Sequence, residues 1–244
     1  MLEGLLLVNK PTGMTSHDVV QIVRRKLAMQ QIGHTGTLDP MAQGLLILLV
    51  GAATKSQQTF QAHDKTYEAT LRLGTQTDTG DAAGQLVRTA PIPPLDRVRV
   101  AGVLASFQGS LAQRPPAYSA IKVHGRPAYW WARRHHSMVL PARQVQLFEL
   151  SLIDVTPQTI TFRVHCSAGT YIRTLGESIA ERLGTVGCLS SLVRFSIGPW
   201  SLDEASSLSW ILHVPPDLLA KQVQPIAHPV ASRAQPNRPH SCVS

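Results

Sequence analysis

The chain is short of cysteine, of aromatic residues and of acidic residues, and it has no long apolar run. Among its 244 residues are three cysteines, Cys166, Cys188 and Cys242, which are odd in number, widely spaced and without a C-x-x-C pair. This excludes a disulfide framework and a zinc knuckle, so free thiols and no structural metal are expected. The longest apolar stretches, "LLLV" at 5–8 and "LLILLV" at 45–50, fall far below the roughly 20 residues that cross a bilayer. No membrane span is expected. The N-terminus lacks a basic stretch followed by an apolar core and a small-residue cleavage site, so it does not read as a secretory signal and a cytoplasmic location is expected. No phosphate-binding glycine loop or dinucleotide fingerprint follows the first apolar segment, which agrees with a chemistry that needs no cofactor.

What is present begins with charge. Fifteen Asp and Glu stand against 23 Lys and Arg, a net charge of +8, and a basic chain favours polyanions. A hydrophobic content of 43% at this length supplies a sizeable core. Residues 4–9 read as a strand and "TSHDVVQIVRRKLAM" as an amphipathic helix, with Thr15 and Asp18 spaced as a capping box. Ser16, His17 and Asp18 spell a hydrolase triad, yet three adjacent residues cannot converge on one point as that triad does. Residues 33–37 read as a loop, Asp39-Pro40 as the opening of a short turn, and 45–50 as a strand buried on both faces. "KTYEATLRLG" alternates like a half-buried strand, and "TQTDTGDAAGQ" after it has the composition of a polar loop. Strands over about 145–155, 160–166 and 188–197, with a helix over 171–183, complete an α+β reading: one mixed, mostly antiparallel central sheet with flanking helices. From 213 to 244 the chain is rich in Pro, His, Ala and Gln with little periodicity, which predicts a disordered tail behind a domain of residues 1–212. The tail's His213, His228 and His240 lie too far apart to suggest a metal site.

Asp39 draws attention because it stands at the mouth of the apolar run at 45–50. Asp before Pro is an ordinary helix cap. Gly33 and Gly36, however, allow close backbone approach, His34 offers a ring for stacking on a base, and Pro40 biases Asp39 toward extended geometry. A carboxylate in an apolar site loses its charge unless a cation holds it ionised, and Arg173, at the start of the helix in "CSAGTYIRTLGESIAERLG", is a candidate cation. The segment "AYSAIKVHGRPAYWWARRHH" interleaves Lys122, Arg126, Arg133 and Arg134 with Tyr118, Tyr129, Trp130 and Trp131, a composition suited to RNA.

Five stretches in this order, "NKPTGMTSHD", "GHTGTLDPMAQGLLILLVGAATK", "DKTYEATLRLGTQTDTGD", "PPAYSAIKVHGRPAY" and "HCSAGTYIRTLGESIAERLG", resemble the bacterial tRNA pseudouridine synthases of the TruB family from about residue 3 to 212. The resemblance implies the pseudouridine synthase fold, with an RNA-binding thumb insertion at the basic aromatic segment. It also implies isomerisation of the T-loop uridine at position 55 of tRNA to pseudouridine, after base flipping and without a cofactor. By resemblance Asp39 is the essential carboxylate, Tyr67 covers the uracil, and Arg173 partners the aspartate. His34 packs in the T-loop, Tyr171 and Leu192 line the nucleotide pocket, and Lys55 is a basic residue of the same cleft. Lys122 and Arg126 contact RNA, while Lys10 and Pro11 support the catalytic loop. The partner implied is the T-arm of tRNA, bound by a monomer with no obligatory protein partner. Family members usually carry a C-terminal RNA-binding module of PUA type, in place of which this chain offers a short polar tail. Two rival readings are a non-catalytic tRNA-folding chaperone, whose binding would ignore Asp39→Asn, and an N-glycosidase, which would release free uracil.

Overall fold

The computed structural model describes residues 2–123, 125–134 and 139–226. The first half runs β1 (Gly4–Lys10), α1 (Ser16–Lys26), β2 (Ile32–His34), β3 (Gln43–Val50), a 3-10 turn (Gly51–Ser56) and α2 (Gln57–Gln61). Next come β4 (Lys65–Leu73), the hairpin of β5 (Thr75–Thr77) and β6 (Leu86–Thr89), α3 (Arg97–Ala105) and β7 (Gly109–Gln113). A small insertion holds β8 (Lys122–Val123), β9 (Arg126–Pro127) and α4 (Ala128–Ala132). The chain then returns through β10 (Arg143–Val155), β11 (Thr159–Cys166), α5 (Ile172–Arg182) and β12 (Gly187–Ile197). It closes with β13 (Trp200–Ser201), β14 (Ser206–Ser207), α6 (Leu208–His213) and α7 (Pro216–Lys221).

One sheet organises these elements in the order β14-β1-β3-β12-β4-β11-β10-β7, with β2 on β3 and β13 on β12. β1 with β14 and β3 with β12 run parallel, and the remaining pairings are antiparallel. The mixed, mostly antiparallel α+β reading therefore holds. The period of two in a strand explains how β3 serves two cores. Its Leu46, Leu48 and Val50 face α1, α6 and α7, while Leu45, Ile47 and Leu49 face Phe60 and Trp200. β4 alternates buried and half-buried along its length and gives its buried side to the third core, under α3 and α5. α1 starts at the expected capping box, with the Asp18 N–H donating to Thr15 Oγ1 (3.1 Å) and the Thr15 N–H to Asp18 Oδ2 (2.9 Å).

Three expectations are corrected. Of residues 33–37, expected as loop, Gly33 and His34 belong to strand β2 and pair with Leu49 and Leu48 of β3. "TQTDTGDAAGQ" is a polar loop only in part: Thr75–Thr77 form β5, and Thr77 and Asp81 are both 5% exposed, their polar atoms satisfied by a ring of hydrogen bonds. The predicted tail begins too early, since residues 213–226 fold back on the domain. Pro216 sits in the first turn of α7, Leu219 is fully buried against α1, and Leu5 and Gln224 exchange backbone bonds of 2.7 and 2.8 Å. Residues 227–244, with His228, His240 and Cys242, lie outside the described residues, as do His124, His135 and His136 of the insertion. Cys166 and Cys188 are buried free thiols. Among the described residues no group of three metal-capable side chains gathers, and no helix is long and apolar enough to cross a membrane.

Candidate active site

The turn that carries Asp39 is held from both sides. The Ala42 N–H donates to Asp39 O (3.0 Å) to close it, while Leu38 and Ala42, 3% and 0% exposed, anchor it in the core beneath α5. The loop after β1 grips it from the other flank: the Gly13 N–H donates to Pro40 O (2.8 Å), and Ser16 Oγ accepts from the Leu38 N–H (2.8 Å). That loop is itself tied down by Lys10, whose buried ammonium donates to Pro11 O (2.9 Å) and Met14 O (2.6 Å). Burial pulls the Lys10 ammonium down to about 8 against the attraction of Asp39. The supporting role expected of Lys10 is thus visible in its bonds.

The Asp39 carboxylate forms an ion pair with Arg173, Oδ2 to Nε at 2.9 Å. Arg173 is 5% exposed and Asp39 32%, so the cation is buried and the anion is partly open to solvent. α5 begins one residue before Arg173, which places the guanidinium at the helix's first turn. Its remaining donors reach Thr79 O and Tyr118 O, the latter at 2.8 Å. A second carboxylate, Asp81, stands 4.0 Å from Arg173 Nε. Asp81 Oδ1 accepts from the Thr79 hydroxyl (2.8 Å) and the Ala83 N–H (3.1 Å). Burial pushes the Asp39 carboxyl above its usual value; Arg173 opposes this most strongly, Asp81 adds to it and Lys10 opposes it more weakly.

Tyr67 lies on β4 opposite Arg194 of β12, and Leu192 lies opposite Ala69 in the same register. Tyr67, Leu192, Leu38 and Ile172 belong to one core cluster, so the floor beside Asp39 is apolar. Burial raises the Tyr67 phenol, and the Arg194 guanidinium opposes it. Arg194, 2% exposed, donates from Nε to Leu45 O (2.8 Å) and from Nη2 to Gly36 O (3.2 Å), joining β12 to the loop that leads to Asp39. Tyr171 caps α5, its phenol raised by burial. His34 ends β2, its carbonyl accepting from Gln57 Nε2 (3.0 Å) and its Nδ1 buried without a partner. Burial, Arg194 and His17 together pull the His34 imidazole down, which favours the neutral ring.

The cationic residues expected around this centre divide. Lys122 and Arg126 stand exposed on the β8–β9 hairpin, beside α4. Arg134 lies 3.6 Å and Arg126 5.4 Å from the Trp130 ring centroid, and Arg133 lies 5.5 Å from that of Tyr129. This is the interleaved surface read from the sequence. Lys55 is exposed on the 3-10 turn that follows β3, two residues before Gln57, whose Nε2 donates to His34 O. Asp81, Arg194 and the buried Gln113 were missed. Asp81 lay in a stretch that reads as polar loop, and no local pattern marks the other two.

Comparison with known proteins identifies the family. Residues 24–172 match the TruB family pseudouridylate synthase, N terminal domain. Over 225 residues, 92% of the chain, it is 42% identical to the tRNA pseudouridine synthase B of Opitutus terrae, of which it spans 93%. Against the tRNA pseudouridine synthase B of Hydrogenovibrio crunogenus it is 44% identical over 210 residues, 86% of this chain and 69% of that one. A solved chain of a Cbf5-Nop10-Gar1 complex superposes with a TM-score of 0.70 at 26% identity, over 91% of this chain and 60% of that one. Matched by the family over more than half its length, and by a relative over nearly all of it, the chain belongs to the TruB family of pseudouridylate synthases.

Proposed function

We propose that the chain converts uridine to pseudouridine in tRNA, at the T-loop uridine of position 55, with Asp39 as the essential carboxylate. The tRNA substrate is supported by the relatives named tRNA pseudouridine synthase B. The observation that carries the reading is the Asp39–Arg173 pair, buried on the arginine side and open on the aspartate side, beside Tyr67 and Leu192 on an apolar floor. The isomerisation breaks the ribose C1′ to N1 bond, forms C1′ to C5, moves a proton from C5 to solvent and restores one at N1. No electron is gained or lost. An ionised carboxylate serves by attacking C1′, by attacking C6, or by assisting loss of the C2′ proton, and Arg173 favours the ionised form. The detached uracil must stay in place between the two bond changes, and an apolar floor under a tyrosine retains it away from water.

The target base is stacked within a folded loop, so extruding it costs a few kcal/mol that phosphate and stacking contacts must offset. The exposed Lys122 and Arg126 and the half-buried Trp130 of the insertion suit that task. Hydrolysis with release of uracil is less well supported, because Asp81 spends one oxygen on its own loop and faces Arg173 with the other. The test is pseudouridine mapping on an unmodified tRNA transcript by carbodiimide-dependent primer extension, wild type beside Asp39→Asn. A T-loop stop made by wild type and lost in the variant is expected, with tRNA affinity kept within about tenfold because phosphate contacts dominate binding. Wild type that binds tRNA and leaves no stop would refute the proposal and favour a chaperone.

A further inference from the structure

Gln113 is 4% exposed, at the last position of β7. A buried side-chain amide is costly unless both of its ends are bonded. Here both are bonded to one residue. Gln113 Oε1 accepts from the Tyr171 N–H at 2.7 Å, and Nε2 donates to Tyr171 O at 2.9 Å, across 58 positions of sequence. The amide orientation is unambiguous, since a backbone N–H only donates and a carbonyl only accepts. Tyr171 is the N-cap of α5 and supplies no side-chain cap, so this clasp fixes the backbone from which the helix starts. Arg173 is the second residue of that helix.

The same stretch of chain is clasped again five residues on. After Gln113 the chain leaves the sheet toward the thumb, and Tyr118 O accepts from Arg173 Nη2 at 2.8 Å. The root of the RNA-contacting insertion and the first turn of α5 are therefore sewn together twice, once through each end of the span 113–118. Packing alone would be met by a leucine of similar volume. An amide bonded at both ends adds direction.

We propose that Gln113 is a positioning residue for the reaction: by clasping the Tyr171 backbone it aims Arg173 at Asp39 and joins the thumb's root to the catalytic pair. The inference rests on the reading of Asp39 and Arg173 as the reacting pair. The charged and titratable groups that face Asp39 are Arg173 from α5, Asp81 from the β5–β6 connection and Lys10 from β1, with Tyr67 and Tyr171 alongside. Of these cations only Arg173 depends on the clasp. If it swings away, burial acts on Asp39 with less opposition.

Gln113→Leu removes both bonds at similar volume, and Gln113→Glu keeps the acceptor for the Tyr171 N–H while losing the donor. In the free protein, the Asp39 carboxyl is titrated by carbon-13 NMR in wild type and both variants. The same proteins are assayed for single-turnover pseudouridine formation and for tRNA binding. The expected result is a higher Asp39 midpoint in Gln113→Leu, a rate lowered about tenfold or more with its acid limb moved to higher pH, and tRNA affinity within about threefold of wild type. Gln113→Glu should fall between and carries the comparison if the leucine variant does not fold. An Asp39 midpoint identical in wild type and variants overturns the role of Gln113 whatever the activity. A wild type that makes no pseudouridine refutes the functional reading, while the titration still judges the clasp.

Discussion

Arg173→Lys separates charge from geometry at this centre. The arginine pairs with Asp39 through Nε at 2.9 Å and also donates to Thr79 O and Tyr118 O, so one planar group ties together the Asp39 turn, the β5–β6 connection and the stretch that leads into the insertion. A lysine keeps the positive charge but presents a single ammonium at the end of a flexible stem, which cannot meet three acceptors fanned around a guanidinium plane. Losing two charge-assisted hydrogen bonds at about 1.5–3 kcal/mol each, with water replacing part of the loss, leaves a deficit of about 2–4 kcal/mol. If that deficit falls on the aligned state, the single-turnover rate drops by about 30-fold to 1,000-fold, at about 1.4 kcal/mol per factor of ten. The assay is rapid-quench pseudouridine formation with saturating enzyme, beside thermal unfolding of both proteins. Arg173→Leu should fare worse, because the 5% exposed Asp81 then lacks its cation as well. A lysine variant within threefold of wild type would refute the geometric reasoning and leave charge as the arginine's whole contribution.

The remaining predictions concern pH, RNA and the C-terminal elements. Lys10 and Lys65 are both pulled down to about 8 by burial, so the unfolded chain binds more protons than the folded one between about pH 8 and 10.5. Their contribution to stability therefore rises with pH across that window, and Lys10→Met should flatten the rise in urea-unfolding free energy by on the order of 1–3 kcal/mol. Asp39, pushed up by burial, should set the acid limb of the rate, with activity lost as pH falls through a midpoint above the usual carboxylate value. Trp130→Ala should weaken tRNA binding by about 1–3 kcal/mol, and Arg126→Ala should lower the slope of log affinity against log salt by about one, both read by filter binding across salt. Leu219→Ala should cost about 2–5 kcal/mol in denaturant unfolding; no loss would show that α7 does not contribute to the domain's stability.

Where a signal was periodic, it was legible. The alternation of β4, the unbroken apolar run of β3 and the capping box of α1 all appear at the expected residues. Asp39, Tyr67, Leu192 and Arg173 are named through motif resemblance; Asp39 and Arg173 pair directly, and Tyr67 and Leu192 belong to the core cluster that includes Leu38 and Ile172. Local composition failed at Asp81, Arg194 and Gln113, three polar residues that look like surface. Their burial depends on partners far along the chain: Arg194 bonds Leu45 across 149 positions, and Gln113 bonds Tyr171 across 58. α7 was lost because six residues are too few for a helical period, although Pro216 followed by Asp217 was a usable start signal.

The sequence by itself determined the strongly periodic elements and the side-chain chemistry available. Hydrophobic period sets which face of each strand is buried, and the motifs name one carboxylate, one tyrosine and one arginine for the reaction. Only the tertiary structure decided that Arg173 is buried while Asp39 stays open, that a second carboxylate shares the same arginine, and that Gln113 and Arg194 lock the loops between them. The physical reason is that a polar group's ionisation and orientation depend on desolvation and on which partners lie within about 4 Å. Those distances exist only once β3, β4, α5 and β12 have packed.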